Sequence, residues 1–332
     1  MKRRTFVRNS ALAGIGLSAF GLSYCTNPAS KEGEQTAEAS EAETPAALFF
    51  KLSLAQWSLN QAIRENGMDP LTFAKTASDL GFEGIEYVNH LYEPIYSKAS
   101  SVLEGIKSLT EELKTRANDN GVKSLLIMVD GQGDLAIQNA KERLEAVNNH
   151  HKWVDMANAL GCHSIRVNLF GDGSKEEQYA ASTDSLSKLG AYAKDLNINV
   201  LVENHGGLSS DPAWLTGIMK DVNMSNVGTL PDFGNFCLKR ENGERWEAPC
   251  VEEYPDKVEG VKLLMPYAKA VSAKSYEFND KGEQDKIDYF GMVKMLRDFG
   301  YNGYIGVEYE GGGDEIAGIK ATKDLLIKAA NA

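Results

Sequence analysis

From Leu48 to the C-terminus the chain repeats one pattern, a short apolar run followed by a longer amphipathic stretch. The short runs suit strands buried on both faces, and the long ones suit helices that cover them. Strands joined by helical crossovers are parallel, which makes this an α/β chain. The pattern predicts strands at Phe50–Ala55, Gly84–Tyr87, Lys123–Met128, Ser164–Asn168, Asn199–Glu203, Val227–Pro231, Ala270–Lys274 and Tyr304–Glu308. The first helix starts near Asp69–Pro70 and stops at Gly81; the rest are predicted at Val102–Asn118, Leu135–Leu160, Glu176–Leu196, Pro212–Lys220, Pro255–Met265, Tyr289–Phe299 and Asp314–Ala329. Asn235–Tyr254 reads as a polar insertion. Gly81 and Gly300 end their helices in similar phrases, where a left-handed residue is wanted. Eight such units close a (β/α)8 barrel, and 48–332 has the length of one such domain. An open doubly wound sheet would want a glycine-rich fingerprint after its first strand, and Ala55–Gln56–Trp57–Ser58 is not one.

The N-terminus has a different character. Lys2–Arg3–Arg4–Thr5–Phe6–Val7 resembles a twin-arginine export signal, and Ala11–Leu22 is a modest apolar stretch broken by glycines. Leu22–Ser23–Tyr24–Cys25 resembles a lipobox, with a bulky Tyr24 where a small residue is usual. Residues 1–25 are therefore read as an export signal and 26–47 as a disordered linker. The expected location is the periplasm or cell envelope, with membrane attachment only through a lipid at Cys25. The net charge is −12, and removing Met1–Tyr24 takes away four cations and no acid, giving −16. Such a chain repels phosphate backbones, so nucleic acid is not expected as a partner. Of the remaining cysteines, Cys237 and Cys250 flank the insertion, and they either pair or stay free.

Barrel chemistry sits at the C-terminal ends of the strands. Glu203, Asp232 and Glu308 each follow an apolar run directly, at the ends of the fifth, sixth and eighth strands. Buried acids need a partner, and three converging carboxylates suit a divalent cation such as manganese, magnesium or zinc. His205 shares the side of Glu203 if the strand continues, as ligand to metal or substrate. Arg166 and Asn168 alternate inward together, with Arg166 holding a substrate oxygen or pairing with Glu203. Trp57, Glu86 and His90 are expected at the rim as substrate contacts, whereas His150 and His151 are expected to be exposed.

These phrases resemble the xylose-isomerase-like superfamily of sugar isomerases and epimerases, which also holds dehydratases and an apurinic endonuclease branch. The resemblance runs from Leu48 to the end. It implies Glu203, Asp232 and Glu308 as metal ligands and Lys274 as the lysine of the seventh strand. Two positions depart from the family's pattern. Ser272 stands where a ligand histidine is usual, and Asn235 replaces a second histidine.

The chemistry this implies is metal-assisted proton abstraction beside the carbonyl of a neutral sugar or keto-sugar, ending in epimerisation, isomerisation or elimination. Glu203 and Glu308 would act as acid and base, with Lys274 as an electrophile or, at lowered pKa, a base. The alternative is a carbohydrate-binding lipoprotein of the same fold without turnover.

Overall fold

The computed structural model describes residues 47–246 and 248–332, so the export signal, Cys25 and all but the end of the linker lie outside the described residues. The strands are β1 (Lys51–Ala55), β2 (Gly84–Val88), β3 (Lys123–Met128), β4 (Ser164–Val167), β5 (Asn199–Glu203), β6 (Val227–Leu230), β7 (Cys237–Arg240), β8 (Cys250–Glu253), β9 (Val271–Ser275) and β10 (Tyr304–Tyr309). Eight of them form a parallel sheet in the order β6-β5-β4-β3-β2-β1-β10-β9. The curled sheet closes between β6 and β9 through two isolated bridges, Thr229↔Ala268 and Asp232↔Ser272. The fold is the predicted α/β barrel. Its seventh and eighth strands are β9 and β10, because the insertion contributes an antiparallel hairpin of its own, β7–β8.

Helices cover the outside, and their ends follow local chemistry. Asp69, Ser101, Asn139, Ser174, Asp211, Asp256, Asp288 and Asp314 each accept a backbone N–H of the first turn they precede. Gly81 and Gly300 adopt φ of 73° and 80°, the left-handed geometry their phrases require. The third predicted helix starts later than expected, at Ala140, because Leu135 and Ala136 run as a loop against Phe170–Gly171. Two short helical excursions were not anticipated, Gln56–Arg64 after β1 and Asn89–Tyr96 after β2. Among the described residues no helix is long and apolar enough to cross a membrane.

Strand parity positions the site. Val200, Val202, Val271, Ala273, Ile305 and Val307 belong to the large core between sheet and helices, whereas Val88, Leu126, Met128 and Leu201 fill the barrel's inside. Successive side chains alternate, so Glu203 follows Leu201 inward, and Ser272, Lys274 and Glu308 take the inward positions on β9 and β10. Gly306 on β10 makes room for Glu86: a Cβ there would lie 2.6 Å from a Glu86 carboxylate oxygen.

Candidate active site

The inward side chains meet at the C-terminal mouth of the barrel, beside a cavity of about 1010 Å³ that Arg166, His205, Lys274 and Glu308 line. One carboxylate oxygen each of Glu203, Asp232 and Glu308 lie within 4.8 Å of one another, and all three residues are buried. Each is held differently. Asn235 Nδ2 donates to Glu203 Oε1 at 3.0 Å, and Arg166 Nε approaches Glu203 Oε2 at 2.9 Å without an aligned hydrogen bond. Asp232 Oδ1 accepts the backbone N–H groups of Gly234 and Asn235, both at 2.8 Å, while its Oδ2 has no partner. Glu308 accepts from Ser272 Oγ at 2.9 Å and lies 3.1 Å from Lys274 Nζ.

Burial raises Glu203 well above the usual carboxylate range; Arg166 opposes this, and Glu308 and Asp232 add to it. Burial likewise lifts Asp232 to about 6, against the attraction of Lys274. These three residues fit a divalent cation. The donors are all oxygens, and two of them, Glu203 Oε2 and Asp232 Oδ2, are buried without a hydrogen-bond partner. Four carboxylates are buried together here (Glu86, Glu203, Asp232, Glu308) beside two cations (Arg166, Lys274), and a divalent cation would favour the ionised forms of Glu203 and Asp232 that burial disfavours. The two departures from the family pattern gain a role in the same geometry. Ser272 and Asn235 each donate a hydrogen bond that orients a neighbouring carboxylate.

Lys274 departs from one expectation. Burial lowers its pKa, but Glu308, Glu310 and Asp232 together lift it well above the ordinary value, so it is a fixed cation and not a base. Its Nζ lies 3.2 Å from Glu310, which also accepts from the Trp57 indole. Glu86 is not a rim residue. It sits inside β2, accepts from Ser53 Oγ at 2.6 Å, and burial raises its pKa to about 7. His150 is not exposed either: it is buried, with Nδ1 2.7 Å from the Ala146 carbonyl. Cys237 and Cys250 are paired as a disulfide.

A second set of polar groups lines the side of the mouth below β3–β5, and its hub, Asp130, has no place in the sequence reading. Arg166 Nη1 and Asn168 Nδ2 donate to Asp130 Oδ1 at 2.7 and 2.6 Å, and His90 Nδ1 lies 3.7 Å from its other oxygen. Burial acts to raise Asp130, but the charges facing it, Arg166 foremost, outweigh it and bring its pKa to about 2. Arg166 is thereby committed to Asp130 and Glu203. An ionised carboxylate only accepts, so Asn168 turns its amide N–H to Asp130 and its oxygen to His205 Nδ1, 2.7 Å away. Burial, with Arg166 and Lys274, holds His205 well below its ordinary pKa, so the ring is neutral, protonated on Nδ1 and left with Nε2 as acceptor. Asp130 follows the apolar run Leu125–Val129 directly, the same signal that marks Glu203, and Glu310 shares the parity of Glu308.

Residues 74–329 match the family model described as the xylose isomerase-like TIM barrel. The chain belongs to this family. No curated protein sequence matches it. Among solved structures the xylose isomerase-like fold is shared with a 3-keto-D-glucoside 4-epimerase from E. coli, at a TM-score of 0.62 and 15% identity, covering 83% of this chain and 98% of that one. A D-psicose 3-epimerase crystallised with D-fructose gives 0.57 and 17%, covering 84% and 96%. The IolI protein with a bound zinc atom gives 0.61 and 15%, covering 85% and 98%.

Proposed function

We propose that this protein is a sugar isomerase or epimerase that moves a proton at a carbon next to the carbonyl of a neutral sugar or keto-sugar. The observation that carries the reading is the meeting of Glu203, Asp232 and Glu308, from three strands, at the barrel mouth. The names of the similar structures, two epimerases and a zinc-bound protein, support the same class. A divalent cation held by the three carboxylates would supply Lewis acidity at the substrate's oxygens.

The chain's own groups carry the proton and hold the sugar. Glu203 and Glu308 are each oriented by a neutral donor, Asn235 and Ser272, so neither turns to meet a C–H bond. The raised pKa of Glu203 suits a group that holds a proton between removal and return, and Glu308 is its partner. Lys274, fixed as a cation, donates to an oxygen that gains negative charge. His205 Nε2 accepts from a sugar hydroxyl. Return of the proton to the opposite face gives an epimer, return to the neighbouring carbon gives an isomer, and loss of a β-substituent gives elimination.

Metal analysis of the purified barrel domain, followed by incubation with sugars and keto-sugars in deuterated water, tests this. The expected result is a bound divalent metal and deuterium entering a C–H position of one substrate. The replacement of both family histidines by Ser272 and Asn235 favours a second reading, a sugar-binding protein without turnover. Tight glycan binding with neither metal nor exchange would establish it. We further propose that the protein acts outside the cytoplasm, where phosphorylated sugars are rare. Changing Arg3 and Arg4 to Lys should strand the precursor inside, and normal export of that variant would refute the assignment.

A further inference from the structure

The insertion between β6 and the next helix does more than decorate the rim. Its two strands are tied at the base by the Cys237–Cys250 disulfide, and the chain between them reaches across to the loops that follow β3 and β4. Arg245 grips Asp134 with both Nη atoms, at 3.0 and 2.8 Å, and lays its guanidinium 4.5 Å above the Phe170 ring. These contacts fix the neighbouring Trp246. Its indole stands edge to face with Phe170 at 4.8 Å between centroids, and 4.8 Å from the His205 ring. Yet Trp246 remains 47% exposed, and it lines the same cavity as Glu308 and Lys274. A disulfide, a two-pronged ion pair and a cation–π contact therefore hold an indole half in solvent at the mouth of the candidate active site. Burial of Trp246 does not account for that arrangement; a platform facing the cavity does.

The cavity itself has room for more than the reacting sugar. At about 1010 Å³ it reaches the upper end of the range filled by drug-sized ligands. The carboxylates lie deep, at the strand ends, and Trp246 lies outward, beyond His205. Of the cations that line the cavity, Arg245 pairs with Asp134 and Lys257 with Glu253, while Arg240 donates to the Ala248 carbonyl at 2.8 Å. A sugar ring offers such a platform the C–H face that an indole attracts.

We infer that the substrate is a neutral glycoside of at least two rings, with its reacting ring at the carboxylates and its second ring stacked on Trp246. The inner half of this assignment rests on the proposed function; the outer half rests on Trp246 and the cavity. Calorimetric titration of the full chain with glucose, galactose, maltose, cellobiose, lactose, sucrose and trehalose tests it. At least one disaccharide should bind about tenfold or more tighter than its component monosaccharides, and Trp246→Ala should shrink that ratio by about tenfold, the fold-change for losing one aromatic stack. Trp246→Phe, which keeps a smaller face, should give an intermediate ratio and serves if the alanine variant does not fold. No disaccharide preference in the wild type, or a ratio unchanged by either substitution, overturns the inference. Deuterium exchange is read separately. A disaccharide preference that depends on Trp246 but comes with no exchange supports the outer subsite and removes the isomerase reading alone.

Discussion

Lys274 is the residue whose replacement should be felt most directly. It is 1% exposed, and its Nζ lies 3.1 Å from Glu308 and 3.2 Å from Glu310. Lys274→Met keeps most of the side-chain stem, so the cavity left behind is small and the change is chiefly one of charge. Removing one partner of a buried pair leaves the other uncompensated, at a cost of about 3–5 kcal/mol. Here two carboxylates lose their cation, and Asp232 loses part of the attraction that opposes its burial. For a domain of this size each kcal/mol moves the melting temperature by about 2–4 °C, so a fall on the order of 10 °C is expected in calorimetry of the metal-free protein. Glu308→Gln in the same background removes one of the stranded charges. The double variant should therefore cost less than the sum of the two singles. A loss below about 1 kcal/mol for Lys274→Met, or full additivity with Glu308→Gln, would refute the claim that this ammonium holds the carboxylate cluster together.

Glu308→Gln alone should retain the fold and lose proton exchange by about 100- to 10,000-fold, measured by deuterium incorporation, as for loss of one general acid or base. The metal-free protein should become less stable as pH rises from about 4 to 7 in urea titrations. Asp232, at about 6 when folded, and Glu86, at about 7, bind protons more tightly folded than unfolded, so their contribution is full at low pH and is lost as pH passes those values. A stability that climbs steadily over that window would contradict the buried-carboxylate account. Ser272→His places a ligand type beside Glu308 and Asp232 and should tighten metal binding about tenfold or more in competition titrations; unchanged affinity in a folded variant would show that position 272 does not face the cation.

The barrel was legible in the sequence because two periodicities agree with it at once. Apolar runs of strand length alternate with capped helices, and acids stand where the runs stop. The same rule located Glu203, Asp232 and Glu308. It missed Asp130 because that acid stands beyond Val129, two residues past the end of β3 at Met128, and not directly at a strand end. Glu86 was misplaced for the opposite reason. An acid inside a strand reads as its outer end unless Gly306 and Ser53, far away in sequence, are known to face it. The direction of the Lys274 shift is equally non-local, being decided by carboxylates on a neighbouring strand. The hairpin and its Trp246 were invisible as structure because a polar insertion carries no periodicity to read.

The closing edge of the sheet has a consequence for the life of the molecule. Seven of the strand junctions are ladders, but β6 meets β9 through two isolated bridges only. Glu203 and Asp232 belong to one lip of that gap; Glu308, with the Ser272 hydroxyl that steadies it, belongs to the other. A cation held by all three carboxylates would act as a clasp on the one joint of the barrel that lacks a ladder. An ion that needs all three carboxylates would favour the shut joint, increasingly so as its concentration rises. Opening of the barrel and release of the ion would then be one event. Amide hydrogens along residues 227–233 and 269–272 should report it, exchanging fastest in the stripped protein and slowing first as metal is returned.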